Sequence, residues 1–528
     1  MRSGVVLCVA SSESEFDQDA VRLGEKLQAK GVAVLQCNKD LIVKEPDRVA
    51  EFVAHNNLQC LLVISGLSET SVIETLRHST ERARLGRLAV GYLDMRLLWG
   101  ARSASTGNDL DYTVVLTNLS RLEHADLIKD VVTRSVLGSA KISRRQLLGS
   151  VPRALRVESD IPIILHDRCF HRSRSCTYCS EACPVKAISP TKDSVVIDDR
   201  LCVECGACAR ECTIGAIQSP SISDAQIIAM LKRLSSEELD SSKRLLLLTC
   251  PMGLERLAYE ASEDASPDAS IVPVAIPCVA AIGSIHYLWA ASLGVNLVTI
   301  CPDASCSRVP AVVPIQRHVE SSKKVLENLG QNGVAIQHLS LTLNDSILDK
   351  ISLAPRQSVM KRKPELSGLR RDATLEALRT LQAGKDSRIL FTDDHMFPFF
   401  DVAIDVERCT FCGACERECP DHAFSFARED GSSGLMFDPP LCGGCMVCER
   451  ICPEGAIKVG RHRELTEILE GKRETKTKDE VATCERCGTP IGLKRTLAAL
   501  EKKLSNQKVS PEIQRALRMC SNCKRALN

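Results

Sequence analysis

Short apolar runs alternate with amphipathic stretches over the first 140 residues. The apolar runs have the length of buried strands, and the stretches between them repeat apolar residues at helical spacing. The predicted strands are 5–10, 32–36, 60–65 and 88–92. The predicted helices are 17–30, 46–56 and 70–85. This alternation predicts a small doubly wound α/β domain over residues 1–140.

A second stretch with the same alternation covers residues 221–345. Its predicted strands are 244–249, 271–277 and 295–300. A cysteine follows each strand (Cys250, Cys278 and Cys301), and Cys306 lies five residues beyond the last of them. Because the carboxyl ends of parallel strands meet at one edge of a sheet, we expect these four thiols to gather there. The prediction is a second doubly wound α/β domain with a thiol site, which we call the middle site.

Residues 271–302 contain no Asp, Glu, Lys or Arg, so their length alone would allow a membrane span. Pro273, Pro277 and Gly294 divide this segment into strand, helix and strand lengths. Buried parallel strands around a buried helix produce such continuous apolar runs. The pattern therefore favours a protein without a direct membrane span.

Charge and composition exclude some functions. The 68 basic residues balance 67 acidic ones and only 3% of residues are aromatic, so neither a basic surface nor stacking rings indicate nucleic-acid binding. The glycine-rich phosphate loops of dinucleotide and P-loop sites are missing from the sequence, which leaves nucleotide and flavin cofactors without support. Residues 352–395 are rich in Lys, Arg and Ser and predict a linker with a solvated basic face, which contains one short helix at 372–381.

Cysteine is the outlier in composition, with 27 in the chain. A disulfide scaffold would be short and secreted, whereas this chain is long and begins directly with a strand. The cysteines are therefore predicted to be metal ligands in a reducing compartment. The cytoplasm is the default compartment. The pair Arg144-Arg145 resembles a twin-arginine export signal, but it lies far inside the chain and no apolar region follows it. Cys8, Cys37 and Cys60 stand alone and are interpreted as core residues.

Sixteen cysteines form four runs, two in residues 160–220 and two in residues 396–460. Run 1 is Cys169, Cys176, Cys179 and Cys183, and run 2 is Cys202, Cys205, Cys208 and Cys212. Run 3 is Cys409, Cys412, Cys415 and Cys419, and run 4 is Cys442, Cys445, Cys448 and Cys452. Two residues between neighbouring ligands let a tight loop place three sulfurs on one cluster. The three-residue gap before the fourth cysteine, and the Pro after it, carry the fourth sulfur away from that cluster. This is the two-cluster ferredoxin pattern.

In that pattern the fourth cysteine of each run ligates the cluster of the other run. The predicted ligand sets are site 1 (Cys169, Cys176, Cys179, Cys212), site 2 (Cys202, Cys205, Cys208, Cys183), site 3 (Cys409, Cys412, Cys415, Cys452) and site 4 (Cys442, Cys445, Cys448, Cys419). Structural zinc is the alternative, but it requires paired C-x-x-C motifs, which these runs do not match. The sequence therefore predicts two ferredoxin-like modules with four 4Fe–4S clusters.

Runs 1 and 2 depart from the pattern in two places. The first gap of run 1 is four residues longer than usual, and Thr213 stands where Pro follows the other runs. A longer loop can still deliver one sulfur, so both departures are expected to be tolerated. In runs 3 and 4, Gly413 and either Gly443 or Gly444 suit a backbone that must approach the cluster closely.

Two C-x-x-C pairs end the chain, Cys484 with Cys487 and Cys520 with Cys523. Four thiolates in two such pairs predict a closed zinc site, the tail site, in a small metal ribbon over residues 481–528. Rubredoxin-type iron is the rival, but that fold needs an aromatic core and no Phe, Tyr or Trp occurs from Cys484 onward. Between the pairs, helices are predicted at 493–504 and 511–518.

The middle domain resembles the delta subunit of methyl-viologen-reducing hydrogenase. The resemblance rests on Cys250, on Ile276-Pro277-Cys278, on Leu293-Gly294-Val295 and on the segment from Cys301-Pro302 to Cys306. It implies a 2Fe–2S cluster at the middle site and transfer of electrons to heterodisulfide reductase. In this chain Ser307 stands where that family has a His. More faintly, residues 97–112 are similar to the start of the heterodisulfide reductase A subunit, without its cysteines, which implies a cluster-free docking domain.

Three functions follow from these features. The first is an electron-transfer subunit within a larger redox complex, such as a hydrogenase, a formate dehydrogenase or a heterodisulfide reductase. The second is an oxidoreductase in its own right, for which His286 is the titratable partner that can be named. The third is a scaffold protein with structural clusters. Complete sets of four cysteines leave no iron open to a substrate, which favours the first.

Overall fold

The computed structural model divides the chain into two compact units. One contains Met1–Cys169 and Thr177–Lys385, and the other contains Phe170–Cys176 and Asp386–Asn528. The structure describes residues 3–9, 15–38, 46–65, 76, 89–94, 115–121, 160–169, 171, 176–191, 194–235, 245–263, 271–303, 305–331, 335–342, 344–351, 364–366, 370–382, 397, 399–429, 431–461, 468–469, 471–505 and 515–525. The Arg144-Arg145 pair, residues 97–112 and most of the predicted helix 70–85 lie outside the described residues.

A four-stranded parallel sheet forms the N-terminal part of the first unit. Its strands are β1 (Ser3–Val9), β2 (Ala33–Asn38), β3 (Cys60–Ser65) and β4 (Ala89–Asp94), in the order β2-β1-β3-β4. Helices α1 (Glu15–Ala29) and α2 (Pro46–Asn56) connect the first three strands. The proline that opens α2 suits the first helical turn, where its missing N–H has no intrahelical partner to lose. Cys37 and Cys60 are buried, as predicted for core residues.

The segment predicted as the first ferredoxin module is made of very short elements. They are β5 (Ile163–Ile164), α3 (Tyr178–Ala182), β6 (Ile188–Pro190), β7 (Val195–Ile197), α4 (Ala207–Glu211) and β8 (Ile217–Gln218). Strand β5 pairs with β8 and β6 pairs with β7, both antiparallel. Cys179, Cys183 and Cys208 are themselves part of the hydrophobic core of this module. Elements of two to five residues bury little apolar surface.

The middle domain is built on a second four-stranded parallel sheet in the order β10-β9-β11-β12. Its elements are α5 (Asp224–Leu234), β9 (Leu245–Thr249), α6 (Pro251–Glu263), β10 (Ile271–Ala275), α7 (Ser284–Ser292), β11 (Asn296–Cys301), α8 (Val309–Val312), α9 (Ile315–Asn328), β12 (Ile336–Ser340) and α10 (Ile347–Lys350). The uncharged segment 271–302 therefore contains a strand, a fully buried helix and a strand, as predicted. Among the described residues, no helix is both long and apolar enough to cross a membrane.

A buried ion pair ties helix α11 (Arg370–Gln382) to the middle domain. The guanidinium of Arg370 donates to both carboxylate oxygens of Asp224, at 2.7 and 2.8 Å, and to the carbonyl oxygen of Cys212 at 2.7 Å. His286 lies at 3.1 Å from the same carboxylate. The predicted linker helix at 372–381 thus exists, but it is packed into the unit through Ala377, Leu378 and Leu381. A solvated face was predicted for it, and the inward-facing apolar residues explain the difference.

Arg370→Ala is expected to lower the free energy of unfolding of the first unit by about 3–5 kcal/mol, because it leaves Asp224 buried without its charge partner. Burial raises the pKa of Asp224, but Arg370 and His286 bring it below its ordinary value of 3.8. A depressed carboxyl pKa contributes stability that is present above the ordinary pKa and is lost as the pH falls. The decrease in unfolding free energy caused by Arg370→Ala should therefore be constant between about pH 6 and pH 8.

The matched control for this prediction is Arg379→Ala, which removes an exposed arginine from the same helix. Interactions of exposed arginines are weak, so the control should cost less than about 1 kcal/mol. Chemical denaturation of the full chain measures both variants. Equal effects of the two substitutions would contradict the structural role of the buried pair.

The second unit joins a ferredoxin-type module and the tail in one sheet. Its elements are β13 (Phe400–Ile404), α12 (Ala414–Arg417), β14 (Phe424–Glu429), β15 (Ser432–Phe437), α13 (Val447–Ile451), β16 (Ile457–Arg461), β17 (Glu474–Thr483), β18 (Pro490–Leu493), α14 (Lys494–Ser505) and α15 (Ser521–Arg525). Strands β14-β15-β17-β18 form an antiparallel sheet, and β13 pairs with β16. The tail boundary predicted at residue 481 falls inside β17. Both units mix helices and strands, which confirms a multidomain chain of mixed α and β content.

Candidate metal centres

The fourth cysteine of every run accepts a hydrogen bond from a backbone N–H four residues later. The distance from this N–H nitrogen to Sγ is 3.2 or 3.3 Å in all four cases. The donors are Ala187, Ala216, Ala423 and Ala456. Hydrogen bonds to cluster sulfurs are one of the means by which proteins set cluster potentials. The same turn, with an N–H donated to the cysteine sulfur, therefore occurs four times in the chain. It is present also in run 2, where Thr213 replaces the Pro of the other runs.

A left-handed residue precedes each of these donors and turns its N–H back towards the sulfur. The residues are Lys186, Gly215, His422 and Gly455, with φ between 52° and 68°. The sequence carried a signal for this turn, because each fourth cysteine is followed by x-x-x-Ala. The spacing of the cysteines alone did not reveal it.

The loops between the first three cysteines also need left-handed backbone. In run 3 the residues with positive φ are Phe411 and Gly413, and in run 4 they are Gly444 and Met446. Of the two candidates Gly443 and Gly444, the structure thus selects Gly444. An added Cβ there would lie 2.4 Å from the Phe400 ring.

Gly444→Ala is expected to destabilise the second module by about 2–4 kcal/mol, since left-handed strain is combined with overpacking against Phe400. Gly431→Ala is the matched control: its φ is 78°, close to the 72° of Gly444, but nothing lies within 4 Å of its added Cβ. The control should cost only about 1–2 kcal/mol. The urea midpoint for loss of iron–sulfur absorbance measures both. Equal midpoints for the two variants would show that the ring contact does not matter.

In the second unit, the fourth cysteine of each run lies beside the thiols of the other run. Burial raises the pKa of Cys448, and the thiols of Cys442, Cys445 and Cys419 raise it further. Burial also raises the pKa of Cys409, and Cys452 adds to that rise. A small pocket is lined by residues that include the four cysteines of site 3. This arrangement fits two adjacent clusters with crossed fourth ligands.

The comparison with protein families addresses this segment. The family model for the 4Fe-4S dicluster domain matches residues 408–456. A 4Fe–4S dicluster ferredoxin domain is present. The match encloses all eight cysteines of sites 3 and 4 and indicates iron–sulfur electron transfer. None of the curated proteins matches the chain.

The first module repeats part of this arrangement. Burial raises the pKa of Cys208 well above its ordinary value, and the neighbouring thiols that raise it further include Cys205, Cys202 and Cys183. Cys183 is thus near the triplet of run 2, as the crossed pattern predicts. Cys176 belongs to the second unit, and its place in site 1 stays a prediction.

The middle site lies where three neighbouring strands end. Cys250 follows β9, Cys301 ends β11, and Cys278 lies just after β10. Burial raises the pKa of Cys301, and the thiols of Cys250 and Cys306 add to the rise. Burial raises the pKa of Cys278 to about 12, and Cys301 is again among the thiols that raise it. The structure therefore brings the four predicted thiols into one neighbourhood.

Backbone N–H groups surround the sulfurs of the middle site. The N–H groups of Gly253 and Met252, at the start of α6, lower the pKa of the otherwise burial-raised Cys250. The N–H of Ala280 does the same for Cys278, whereas the thiol of Cys301 donates to the carbonyl oxygen of Asp303 at 3.7 Å. Donors aimed at sulfur stabilise the thiolate, which is the form that binds metal. The donor set suits a metal-thiolate centre.

The four sulfurs of the tail site lie at distances that suit a single tetrahedral metal ion. The sulfurs of Cys484, Cys487, Cys520 and Cys523 all lie within 4.8 Å of one another. Tetrahedral zinc with bonds of about 2.3 Å separates its sulfurs by about 3.8 Å. The distance between the sulfurs of Cys487 and Cys520 is 3.6 Å. Backbone N–H groups, that of Cys520 first, bring the pKa of Cys484 to about 6, which favours its thiolate.

Helix α14 connects the tail site to the loop of site 3. The hydroxyl of Thr496 donates to the carbonyl oxygen of Thr410 at 2.9 Å. The guanidinium of Arg495 lies over the ring of Phe411, 5.4 Å from its centroid, and donates to the carbonyl oxygen of Val406 at 2.8 Å. Sequence reasoning missed both residues, because nothing local marks a surface Arg or Thr as a cluster neighbour.

His286 lies in the core of the middle domain. Its ring is buried, with Nδ1 accepting the N–H of Gly283 at 3.0 Å and Nε2 facing Asp224. Burial lowers its pKa, so the neutral ring is favoured. Both ring nitrogens are used in holding the core, and no nitrogen is left to serve a substrate. The structure thus gives no support to the catalytic role considered for this residue.

Proposed function

We propose that this chain is an electron-transfer subunit that relays single electrons within a larger redox complex. Sites 1 to 4 each hold a 4Fe–4S cluster, the middle site holds a 2Fe–2S cluster and the tail site holds zinc. The cysteines bind the metals, and the surrounding backbone N–H groups orient and stabilise the thiolates. The bound clusters supply reversible one-electron changes.

The repeated turn at the fourth cysteine carries this proposal. It occurs twice inside the matched ferredoxin domain, at Cys419 and Cys452, and twice outside it, at Cys183 and Cys212. The same hydrogen bond over the same four-residue spacing supports the same ligand role. The first module therefore resembles the second in geometry as well as in spacing.

A route between centres is supported in the first unit. Cys205 of site 2 is near enough to Cys278 of the middle site for its thiol to raise the Cys278 pKa. One electron that leaves site 2 oxidises it by one and reduces the middle site by one, with no bond made or broken. Complete thiolate ligation at every site suits a relay.

The partners that we propose are other subunits of a complex like those of hydrogenase, formate dehydrogenase or heterodisulfide reductase. This part of the proposal rests on the resemblance of the middle domain. Exposure supports an exchange point at site 3, since Cys412 is exposed whereas Cys415 is buried. A cluster ligand at the surface shortens the distance to a docked partner.

Metal analysis of the anaerobically purified full chain tests the proposal. We expect about eighteen irons per chain, sixteen from four cubes and two from the middle site, with one zinc. A redox titration followed by EPR should show several reversible one-electron centres. Fewer than about eight irons, or centres that do not cycle, would refute the relay. Turnover of a substrate without any partner protein would favour a catalytic subunit instead.

A further inference from the structure

The ligand loop of site 2 touches the ligand loop of the middle site. Gly206 directly follows Cys205 of site 2. Ala281 ends the short 3₁₀ turn Val279–Ala281, which begins directly after Cys278 of the middle site. A Cβ added at Gly206 would lie 2.7 Å from the Cβ of Ala281 and 3.3 Å from its Cα. Two carbon atoms cannot approach as closely as 2.7 Å without a shift, so no side chain fits between the two loops.

The corresponding loop of run 3 shows that a cluster loop does not by itself require this close contact. Gly413 occupies the same place in run 3, directly after the second cysteine, with a φ of 75° against 72° at Gly206. A Cβ added at Gly413 would first meet the tip of the Arg417 side chain, at 3.1 Å. Left-handed backbone accounts for glycine at both positions. Contact with the turn of another domain distinguishes Gly206.

Arg210 fastens the same junction from helix α4. It lies two residues after Cys208 of site 2, and its side chain is buried. Its Nη1 donates to the carbonyl oxygens of Ala280 at 2.9 Å and of Ala311 at 2.8 Å. Ala280 lies in the turn after Cys278. A guanidinium from the helix of site 2 therefore binds the backbone beside a ligand of the middle site.

The guanidinium of Arg210 is itself held by a chain of polar contacts. Its Nε donates to the carboxylate of Glu211 at 2.8 Å. The same carboxylate lies 3.0 Å from Nε2 of His318. Nδ1 of His318 accepts the N–H of Ser284, the first residue of α7, at 3.2 Å. Because these groups fix the orientation of the planar fork, Arg210 can hold two carbonyl oxygens of the middle domain at once.

We propose that Gly206 and Arg210 are positioning residues that keep site 2 and the middle site at contact distance for electron transfer. Gly206 lets the two ligand loops touch, and Arg210 keeps them touching. One electron that leaves a reduced site 2 oxidises it by one and reduces the middle site by one, and no bond or proton changes place. This inference rests on the proposed function, in which both sites hold clusters.

The test is EPR of the full, cluster-loaded chain after reduction with dithionite, because two paramagnetic centres speed each other's relaxation only over a short distance. In Gly206→Ala the new Cβ must push the loops apart, so we expect the microwave power that half-saturates the middle-site signal to fall severalfold. The double variant Gly206→Ala with Ala281→Gly keeps the left-handed alanine but removes the Cβ that it meets. It should recover most of the wild-type value.

Arg210→Lys is the second variant. The lysine ammonium can still pair with Glu211, but it has no planar fork to hold two carbonyl oxygens, so we again expect a severalfold fall. Arg256→Lys is the matched control. Arg256 makes the same kinds of bond, to the carboxylate of Glu260 and to two carbonyl oxygens, but all of them lie within the middle domain. It should leave the half-saturation power unchanged.

The outcomes separate this inference from the proposed function. If the wild-type chain lacks a reducible centre at either site, the proposed function there fails and the inference fails with it. If both centres are reducible but do not relax each other, the relay stands and the positioning role alone fails. A wild-type value in Gly206→Ala, or a double variant that recovers nothing, also contradicts the inference. Should Gly206→Ala lose iron, Arg210→Lys decides: a lowered value supports the positioning role, and a wild-type value contradicts it.

Discussion

Cys419→Ser is expected to abolish site 4 and to spare site 3, although Cys419 belongs in sequence to run 3. The reason is the crossed ligation that we propose, and the thiol of Cys419 is near enough to Cys442 and Cys445 of run 4 to raise the pKa of each. Loss of one of four thiolates should remove about four irons from the chain. EPR of the reduced full chain, with iron analysis, measures the effect.

The matched variant is Cys412→Ser, which changes another cysteine of run 3 but should remove the signal of site 3 and leave that of site 4. The two variants therefore distinguish two arrangements. In one, all four cysteines of a run bind the same cluster, and in the other the fourth cysteine binds the cluster of the other run. If both removed the same signal, the crossed ligand sets would be wrong.

Loss of the tail metal is expected to release helix α14 from the loop of site 3. The helix has no buried residue, so apolar packing contributes little to holding it. It is held by the hydrogen bonds of Arg495 and Thr496, by the exposed ion pairs of Lys503 with Glu454 and of Glu501 with Arg518, and by the tail site. The free energy of binding a structural zinc contributes directly to the folding free energy of a small domain. Loss of the tail metal is therefore expected to change local stability strongly.

The variant that removes the metal is Cys520→Ser with Cys523→Ser. We expect rapid tryptic cleavage at Lys494, Arg495 or Lys502, and a several-fold faster loss of the site 3 signal in air. Lys524→Ala, which changes an exposed residue of α15 and keeps all four thiols, is the control. A doubly substituted chain that resisted trypsin as the control does would show that α14 holds its place without the metal.

The sequence predicted the parallel sheets well, because their strands are continuous apolar runs. Strand β3 and helix α2 begin and end at the predicted residues. Strand β17 was missed for a physical reason: its sequence is mostly charged residues and threonine, without an apolar alternation. Only Thr477 and Asp479 are buried in it. Asp479 accepts the N–H of Arg495 at the start of α14, which is a tertiary contact that no local pattern encodes.

The candidate sites were predicted as far as spacing could carry them. Cysteine spacing predicts the ligand sets, and the strand ends predict the middle site. The residues that connect sites could not be found in this way, because they act over long sequence separations. Arg210 and Ala311 are 101 residues apart in the chain, and Arg370 and Cys212 are 158 apart. Only folding brings such pairs together.

The sheet that runs from β14 to β18 limits how the chain can be divided. A fragment ending at residue 460 would retain every cysteine of sites 3 and 4, but it would lack β17. Strand β15 would then present a bare row of N–H and C=O groups from Ser432 to Phe437, next to the apolar side chains of Leu435 and Phe437. Uncovered edges of this kind recruit further strands and lead to self-association. By covering the edge of β15, the charged strand β17 thus protects the ferredoxin domain from self-association.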